Sequence, residues 1–249
     1  FNWSRLEEDG IRRALSLAID RDAIAALAGV TGKPAAGLVP PGVPEGEQDS
    51  RTSGGDLIDM TSEGYADRCT QAVRLMQEAG YDRGSDLGTL EYLYADGGTN
   101  GAVAEALCRM WRSVLGLNIT PRGVTKAELM TALRSGSYTL AGMAVSAVCN
   151  DAECFLMDWT SGNSDNLLHY ENSAFDTLMS IIASAKDGTA RMGCLHDAED
   201  LILEIDCALA PLYTTGTAWQ LRDTYQGGFR DPRGWFDFRS VYLKPVTVQ

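Results

Sequence analysis

Ile11–Gly42 reads IRRALSLAIDRDAIAALAGVTGKPAAGLVPPG, and this stretch encodes two helices and a turn-punctuated exit. Ile11, Ala14, Leu15, Ala18 and Ile19 recur at i, i+3, i+4, i+7 and i+8, which lays one apolar stripe along a helix. Arg12, Arg13, Ser16 and Asp20 are assigned to the opposite, wet face. Asp22 is placed to cap a second helix over Ala23–Leu27, because a carboxylate accepts the unpaired N–H groups of a first turn. Gly29 stands where that helix should stop. Pro34 and the Pro40-Pro41-Gly42 triplet then force an extended path.

Downstream, Glu45–Gly64 is rich in Gly, Ser and Asp and reads as a long loop. A helix follows with Ser62 as its candidate cap, Cys69, Ala72, Val73, Met76 and Ala79 on its buried face, and Gly80 as its stop. Leu87–Tyr94 reads as a strand with Leu90, Tyr92 and Tyr94 on one face, and Ala95–Asn100 as a turn. Val103, Leu107, Met110, Trp111 and Val114 mark the next helix, which ends at Gly116. Leu117–Pro121 is a short strand. Thr125–Glu128 (TKAE) is a capping box opening a helix that stops at Gly136. Tyr138–Val148 is almost wholly apolar and predicts a strand covered on both faces. Ser173 is the candidate cap of a helix over Ala174–Ala185. A longer helix covers Ala190–Ile205, and Ala210–Thr215 is the last strand. This alternation predicts an α/β fold with helices covering a central sheet. Gln226–Leu243 changes character to aromatics, glycines and turns.

With 249 residues, 45% of them hydrophobic and 22% charged, the chain has ordinary globular composition. A formal net charge of −13 argues against nucleic acid, since too few cations are present to neutralise phosphates, and against an anionic membrane surface. No apolar run approaches the ~20 residues that span a bilayer, and no signal peptide opens the chain. Phe1 stands where an initiator Met would, so a processed end or an excised lobe is expected.

Chemical motifs are sparse. GxSxG, HExxH and GxGxxG are absent from the sequence. His196 and Glu199 lie one helical turn apart, a spacing that two metal ligands could use, but a solvated helix face is the preferred reading. His169 is assigned a structural hydrogen bond. Cys149–Cys154 (CNDAEC) offers oxygens without the EF-hand ligand order, and no cofactor or metal is expected. Cys149 and Cys154 bracket a short loop and are placed to bridge, although sequence leaves the pairing of the six cysteines open. Cys69 and Cys108 read as small core residues. In open α/β sheets ligands sit outside the carboxyl ends of the strands. Two strand exits carry residues suited to that place: Tyr94, Asp96 and Asn100 in one, and Ser146, Val148 and Asn150 in the other.

The exact wording of Ile11–Gly42 resembles the bacterial family 5 extracellular solute-binding proteins, which serve oligopeptide, dipeptide and nickel importers. The resemblance continues in order through Ala72–Tyr81 (AVRLMQEAGY), Trp111–Asn118 (WRSVLGLN), Ser135–Leu140 (SGSYTL), Asn166–Met179 (NLLHYENSAFDTLM) and Ala198–Tyr213 (AEDLILEIDCALAPLY). It implies a class II periplasmic-binding-protein-like lobe over residues 1–215, with 216–249 returning toward a second lobe absent from this chain. Family members are about twice as long, and the chain resembles their second half. It implies a monomeric, non-enzymatic importer component, periplasmic or anchored at the surface as a lipoprotein, that hands a small solute, foremost a peptide, to ABC permease subunits. Nickel chelates, sugars and other polar solutes are the alternatives, followed by a hydrolase using Ser146 or Cys149 and a receptor for a membrane sensor. On this resemblance Asn100 falls where a basic residue faces the ligand carboxylate. Val148 falls where peptide binders carry an Asp that pairs with the peptide ammonium, and Ala144-Val145 replaces the usual Gly-Trp. Asp151 is the candidate substitute carboxylate, and Asn166 completes the ligand-facing set.

Overall fold

The computed structural model describes residues 1–29, 31–216, 222–230 and 236–244. Helix α1 (Asp9–Leu17) and helix α2 (Arg21–Leu27) form where the apolar stripe places them. Ile11, Ala14, Leu15, Ala18 and Ile19 are all at most 3% exposed. Two assignments change. Asp20, two residues before Asp22, caps α2 by accepting from the Ala23 N–H. Arg12 is buried rather than wet. Its guanidinium lies 4.2 Å from the centre of the Trp3 ring, and its N–H groups donate to the carbonyls of Leu6, Glu7 and Asp206. A planar fork of donors can enter a core when carbonyls meet it there.

The Glu45–Gly64 loop carries structure of its own. Pro44–Glu45 pairs antiparallel with Gln48–Asp49, and a short helix spans Ser50–Gly54. Helix α3 (Ser62–Glu78) is capped by Thr61, whose hydroxyl accepts from Gly64, and not by Ser62. It packs on α1 through Ala72 and Met76, while Val73 is exposed. One residue is about 100° of helix, enough to carry Val73 off the stripe.

The sheet is built from β1 (Thr89–Ala95), β2 (Asn118–Val124) and β3 (Leu140–Ala141), all parallel, in the order β2-β1-β3. Pro121 is accommodated because β2 is an edge strand and needs no donor on its outer side. Helix α4 (Asn100–Leu115) links β1 to β2, and helix α5 (Lys126–Ser135) links β2 to β3. The Thr125–Glu128 capping box forms reciprocally, and Gly116 and Gly136 end α4 and α5 at φ of 67° and 68°.

A second core gathers under helix α6 (Ser173–Ser184), capped by Asn172 rather than Ser173, and helix α7 (Gly188–Asp200). The single helix expected over Ala190–Ile205 changes to a π turn at Leu201–Ile205. The strand expected over Ala210–Thr215 contracts to Tyr213–Thr214, paired with Lys33–Pro34. In the tail, Tyr225–Gln226 pairs with Tyr242–Leu243, and Phe229–Arg230 with Phe236–Asp237. The rest of the expected 216–249 segment, at 217–221, 231–235 and 245–249, lies outside the described residues. No helix among the described residues is long and apolar enough to cross a membrane.

Candidate ligand-binding site

Alternate side chains of the central strand commit to opposite faces. Tyr92 joins the cluster built by Val103, Leu107 and Trp111 of α4, whereas Leu93 joins Leu129 and Leu133 of α5. The two connecting helices therefore cover opposite faces, and the chains leaving the strands diverge around an open carboxyl edge. The strand exits stand side by side: the Asp96 N–H donates to the Val124 carbonyl and the Gly142 N–H to the Leu93 carbonyl, both at 2.8 Å.

At the β1 exit, half-buried Tyr94 reaches across to its neighbours. A Cβ on Gly123 would stand 3.0 Å from the Tyr94 hydroxyl, and one on Gly101 would stand 3.5 Å from it. Small residues at these two positions leave the ring its place. Asp96 is exposed and accepts from the Gly97 N–H at 3.0 Å. Gly97 and Gly98 take φ of 123° and 55°, conformations that favour glycine. Asn100 opens α4, and its amide nitrogen closes the turn on the Ala95 carbonyl at 2.9 Å.

The β3 exit departs from expectation. The strand predicted over Tyr138–Val148 with both faces covered is only Leu140–Ala141, and beyond Gly142 the chain leaves the sheet. β3 is an edge strand with no further partner among the described residues. Met143, Ala144, Val145 and Ser146 are exposed, and Val148 is 75% exposed. An apolar run looks alike in sequence whether both faces are buried or it is laid open along a cleft. Gly142 leaves room for the Tyr92 ring at this point, because a Cβ there would stand 2.2 Å from the Tyr92 hydroxyl. Gly142→Ala should force β3 away from the buried Tyr92 ring and lower stability by about 1–3 kcal/mol. A denaturant midpoint equal to that of the unsubstituted chain would contradict that packing.

Beyond Val148 the wall is fastened. Cys149 and Cys154 are disulfide-bonded. Inside that ring Asp151 accepts from Arg191 of α7 and from the Glu153 N–H, and Glu153 accepts from the same Arg191 nitrogen at 2.6 Å. Asn150 is exposed beside them. Burial pushes the Asp151 carboxyl up, but the Arg191 and Glu153 hydrogen bonds and the guanidinium charge together hold it below its ordinary value. A carboxyl depressed in the folded state stabilises above its unfolded pKa of about 4, and that contribution is lost as pH falls through the depressed value. Melting curves of the unsubstituted chain and of Arg191→Gln should therefore converge in acid below about pH 4 and separate near neutrality. A gap that persists unchanged into acid would show that Asp151 is not the partner that matters.

Asn166 does not join this surface. It is buried, with its nitrogen donating to the Thr160 and Tyr170 carbonyls and its oxygen accepting from the Tyr170 N–H. The carboxyl edge thus brings together Tyr94, Asp96, Asn100, Ser146 and Val148, with Asn150 and Asp151 at the fastened end. Arg191, which holds that end, was missed because nothing local links it to residues forty positions away.

The histidines are engaged elsewhere. His169 takes a left-handed φ of 54° and its Nε2 is 2.8 Å from the Leu133 carbonyl. His196 Nε2 is 2.9 Å from Glu45, while Glu199 is buried against Arg51 and the Leu38 and Val39 N–H groups. His196 and Glu199 therefore do not converge, and no group of metal-ligating side chains forms among the described residues.

Residues 1–166 match the family model described as bacterial extracellular solute-binding proteins, family 5 Middle. Among relatives, the chain is 28% identical to the probable deoxycholate-binding periplasmic protein YgiS of Escherichia coli strain K12, over 94% of this chain and 42% of that protein. It is 27% identical to the periplasmic oligopeptide-binding protein OppA of Salmonella typhimurium, over 96% of this chain and 42% of that one. Among solved structures, OppA of Burkholderia pseudomallei superposes with a TM-score of 0.78 at 25% identity, covering 98% of this chain and 48% of that chain. The chain thus spans less than half the length of these relatives. Its fold is that of a periplasmic-binding-protein-like lobe, a parallel sheet between helices, and an extracellular family places it outside the cytoplasm. The chain belongs to family 5 of the bacterial extracellular solute-binding proteins.

Proposed function

We propose that this chain is one lobe of the solute-binding component of an ABC importer, which captures a small solute and delivers it to membrane permease subunits. The observation that carries the reading is the family match over residues 1–166 together with the open carboxyl edge between α4 and α5. Peptides are the leading ligand class, because relatives such as the Salmonella protein are named as oligopeptide binders. In this reading residues 1–215 form the lobe and 216–249 return toward a second lobe, so that closure traps the ligand between them. The protein works as a monomer and performs no chemistry on its ligand. Two facts support the last point: the Cys149 sulfur is bonded to Cys154, and both imidazoles are engaged away from Ser146. A non-peptide ligand is the second reading, favoured by the apolar character of the β3 exit and by the relative named for deoxycholate.

Native mass spectrometry of the full-length protein that carries this lobe tests the proposal. A bound small molecule, released on denaturation and replaced by added peptide, is expected. Rapid turnover of a reactive ester, with no ligand retained, would point to a hydrolase instead.

A further inference from the structure

We propose that the Cys149–Cys154 disulfide is a redox-sensitive latch: oxidised, it fixes the chain that leaves β3, and reduced, it releases residues 143–150. Three observations carry it.

The first is the scarcity of other tethers. From Met143 to Asn150, neither main chain nor side chains hydrogen-bond to another described residue. Met143, Ala144, Val145, Ser146 and Val148 are exposed, so packing adds little hold. Upstream the run is tied by the Gly142 N–H to the Leu93 carbonyl. Downstream the chain enters the second core only at Ala152 and Leu156, which are 2% and 0% exposed. A segment with so few buried contacts and no backbone hydrogen bonds opens locally without unfolding the lobe.

The second is where the bond sits. It joins Cys149, at the end of the open run, to Cys154 in the short helix Glu153–Leu156, five positions on. Asp151 and Glu153 lie inside the ring, and both accept from the same Arg191 nitrogen. Ring closure holds the two carboxylates ready for one guanidinium. Opening it returns conformational freedom to the residues that carry them, and the bridges weaken with the latch.

The third is access. Cys149 is exposed, and exposed disulfides are the readily exchanged ones. A dithiol reductant attacks as its thiolate, breaking the S–S bond and forming a mixed disulfide. Its second thiol then displaces the protein sulfur. The reductant leaves as a cyclic disulfide, and its two protons and two electrons remain on Cys149 and Cys154 as thiols. Burial keeps two other thiols out of this exchange, pushing Cys108 up to about 11 and Cys207 above its ordinary value.

The test is digestion of the full-length protein with thermolysin, which cuts before apolar residues such as Val145 and Val148, with the fragments identified by mass. Dithiothreitol should raise nicking within residues 143–150 by about tenfold, and reoxidation should restore the slow rate. Cys149→Ser combined with Cys154→Ser should nick fast with or without dithiothreitol, which separates this pair from any other disulfide of the full-length protein. Circular dichroism verifies that the variant is folded, and reversibility in the unsubstituted protein decides the matter without it. Arg191→Gln should nick slowly while oxidised and fastest of all once reduced, when ring and bridges are both gone. Equal nicking of oxidised and reduced protein would overturn the latch. A folded serine variant that nicks as slowly as the oxidised protein, or that still responds to dithiothreitol, would also overturn it. The released segment is the β3 exit of the candidate site, so only the consequence for capture rests on the solute-binding reading. Nicking is measured without ligand, and its outcome leaves that reading untouched.

Discussion

Trp111→Ala is expected to lower the unfolding free energy by about 3–5 kcal/mol, the range for emptying an aromatic site in a packed core. Trp111 is 2% exposed on the buried face of α4, and its ring meets that of Tyr92 edge-on with centroids 5.7 Å apart. It also ties two elements together, because its Nε1 donates to the Leu15 carbonyl of α1 at 2.9 Å. Truncation therefore opens a cavity between α4 and the sheet, removes an aromatic contact and leaves a buried carbonyl unpaired. Urea denaturation measures the loss through a lower midpoint at unchanged slope. A midpoint within error of the unsubstituted chain would show that α4 does not pack on the sheet through this face. Leu107→Ala, on the same face and fully buried, should cost about 2–5 kcal/mol.

Glu199→Ala should be comparably damaging, by about 3–5 kcal/mol, for an electrostatic reason. The Glu199 carboxylate is buried in α7 and bridges to Arg51 at 2.9 Å while accepting from the Leu38 and Val39 N–H groups at 2.7 and 2.8 Å. One side chain thus pins the turn after Ala36, the short helix Ser50–Gly54 and α7. Removing it strands the Arg51 guanidinium, whose Nε and Nη2 already have no protein partner, and unpairs two backbone donors. Glu199→Gln keeps an acceptor for those donors and should be milder. The double replacement Arg51→Met with Glu199→Gln should recover part of the loss, since it removes the stranded charge. A double variant less stable than Glu199→Ala would mean that the bridge is not the source of the effect.

Local features were legible in the sequence. The stripe of α1, the reciprocal Thr125–Glu128 box and the glycine stops at Gly116 and Gly136 all act within one or two helical turns. What escaped depends on partners far along the chain. Arg12 is turned inward by the Asp206 carbonyl, Glu199 by Arg51 and two N–H groups beyond 140 residues, and Asp151 by Arg191. Periodicity also cannot separate an apolar strand buried on both faces from an apolar wall, which is why Met143–Val148 was read as core. Within the candidate site, the turn after Tyr94 lies where the sequence expects it, whereas the second exit begins at Gly142 and not beyond a strand reaching Val148. Asn166 was drawn in by a resembling segment, and its amide serves the backbone of its own loop.

The central claim is that ligand sits at the carboxyl edge of the β2-β1-β3 sheet. Hydrogen–deuterium exchange on the full-length protein tests it most directly, with and without a saturating mixture of di- to pentapeptides and deoxycholate. Slowed exchange confined to residues 95–101 and 142–151, with the α6–α7 core unchanged, is the predicted result. Ligand-dependent protection elsewhere in this lobe, for instance along the groove lined by Leu27, Ala106 and Met110 between α2 and α4, with both strand exits unaffected, would contradict it.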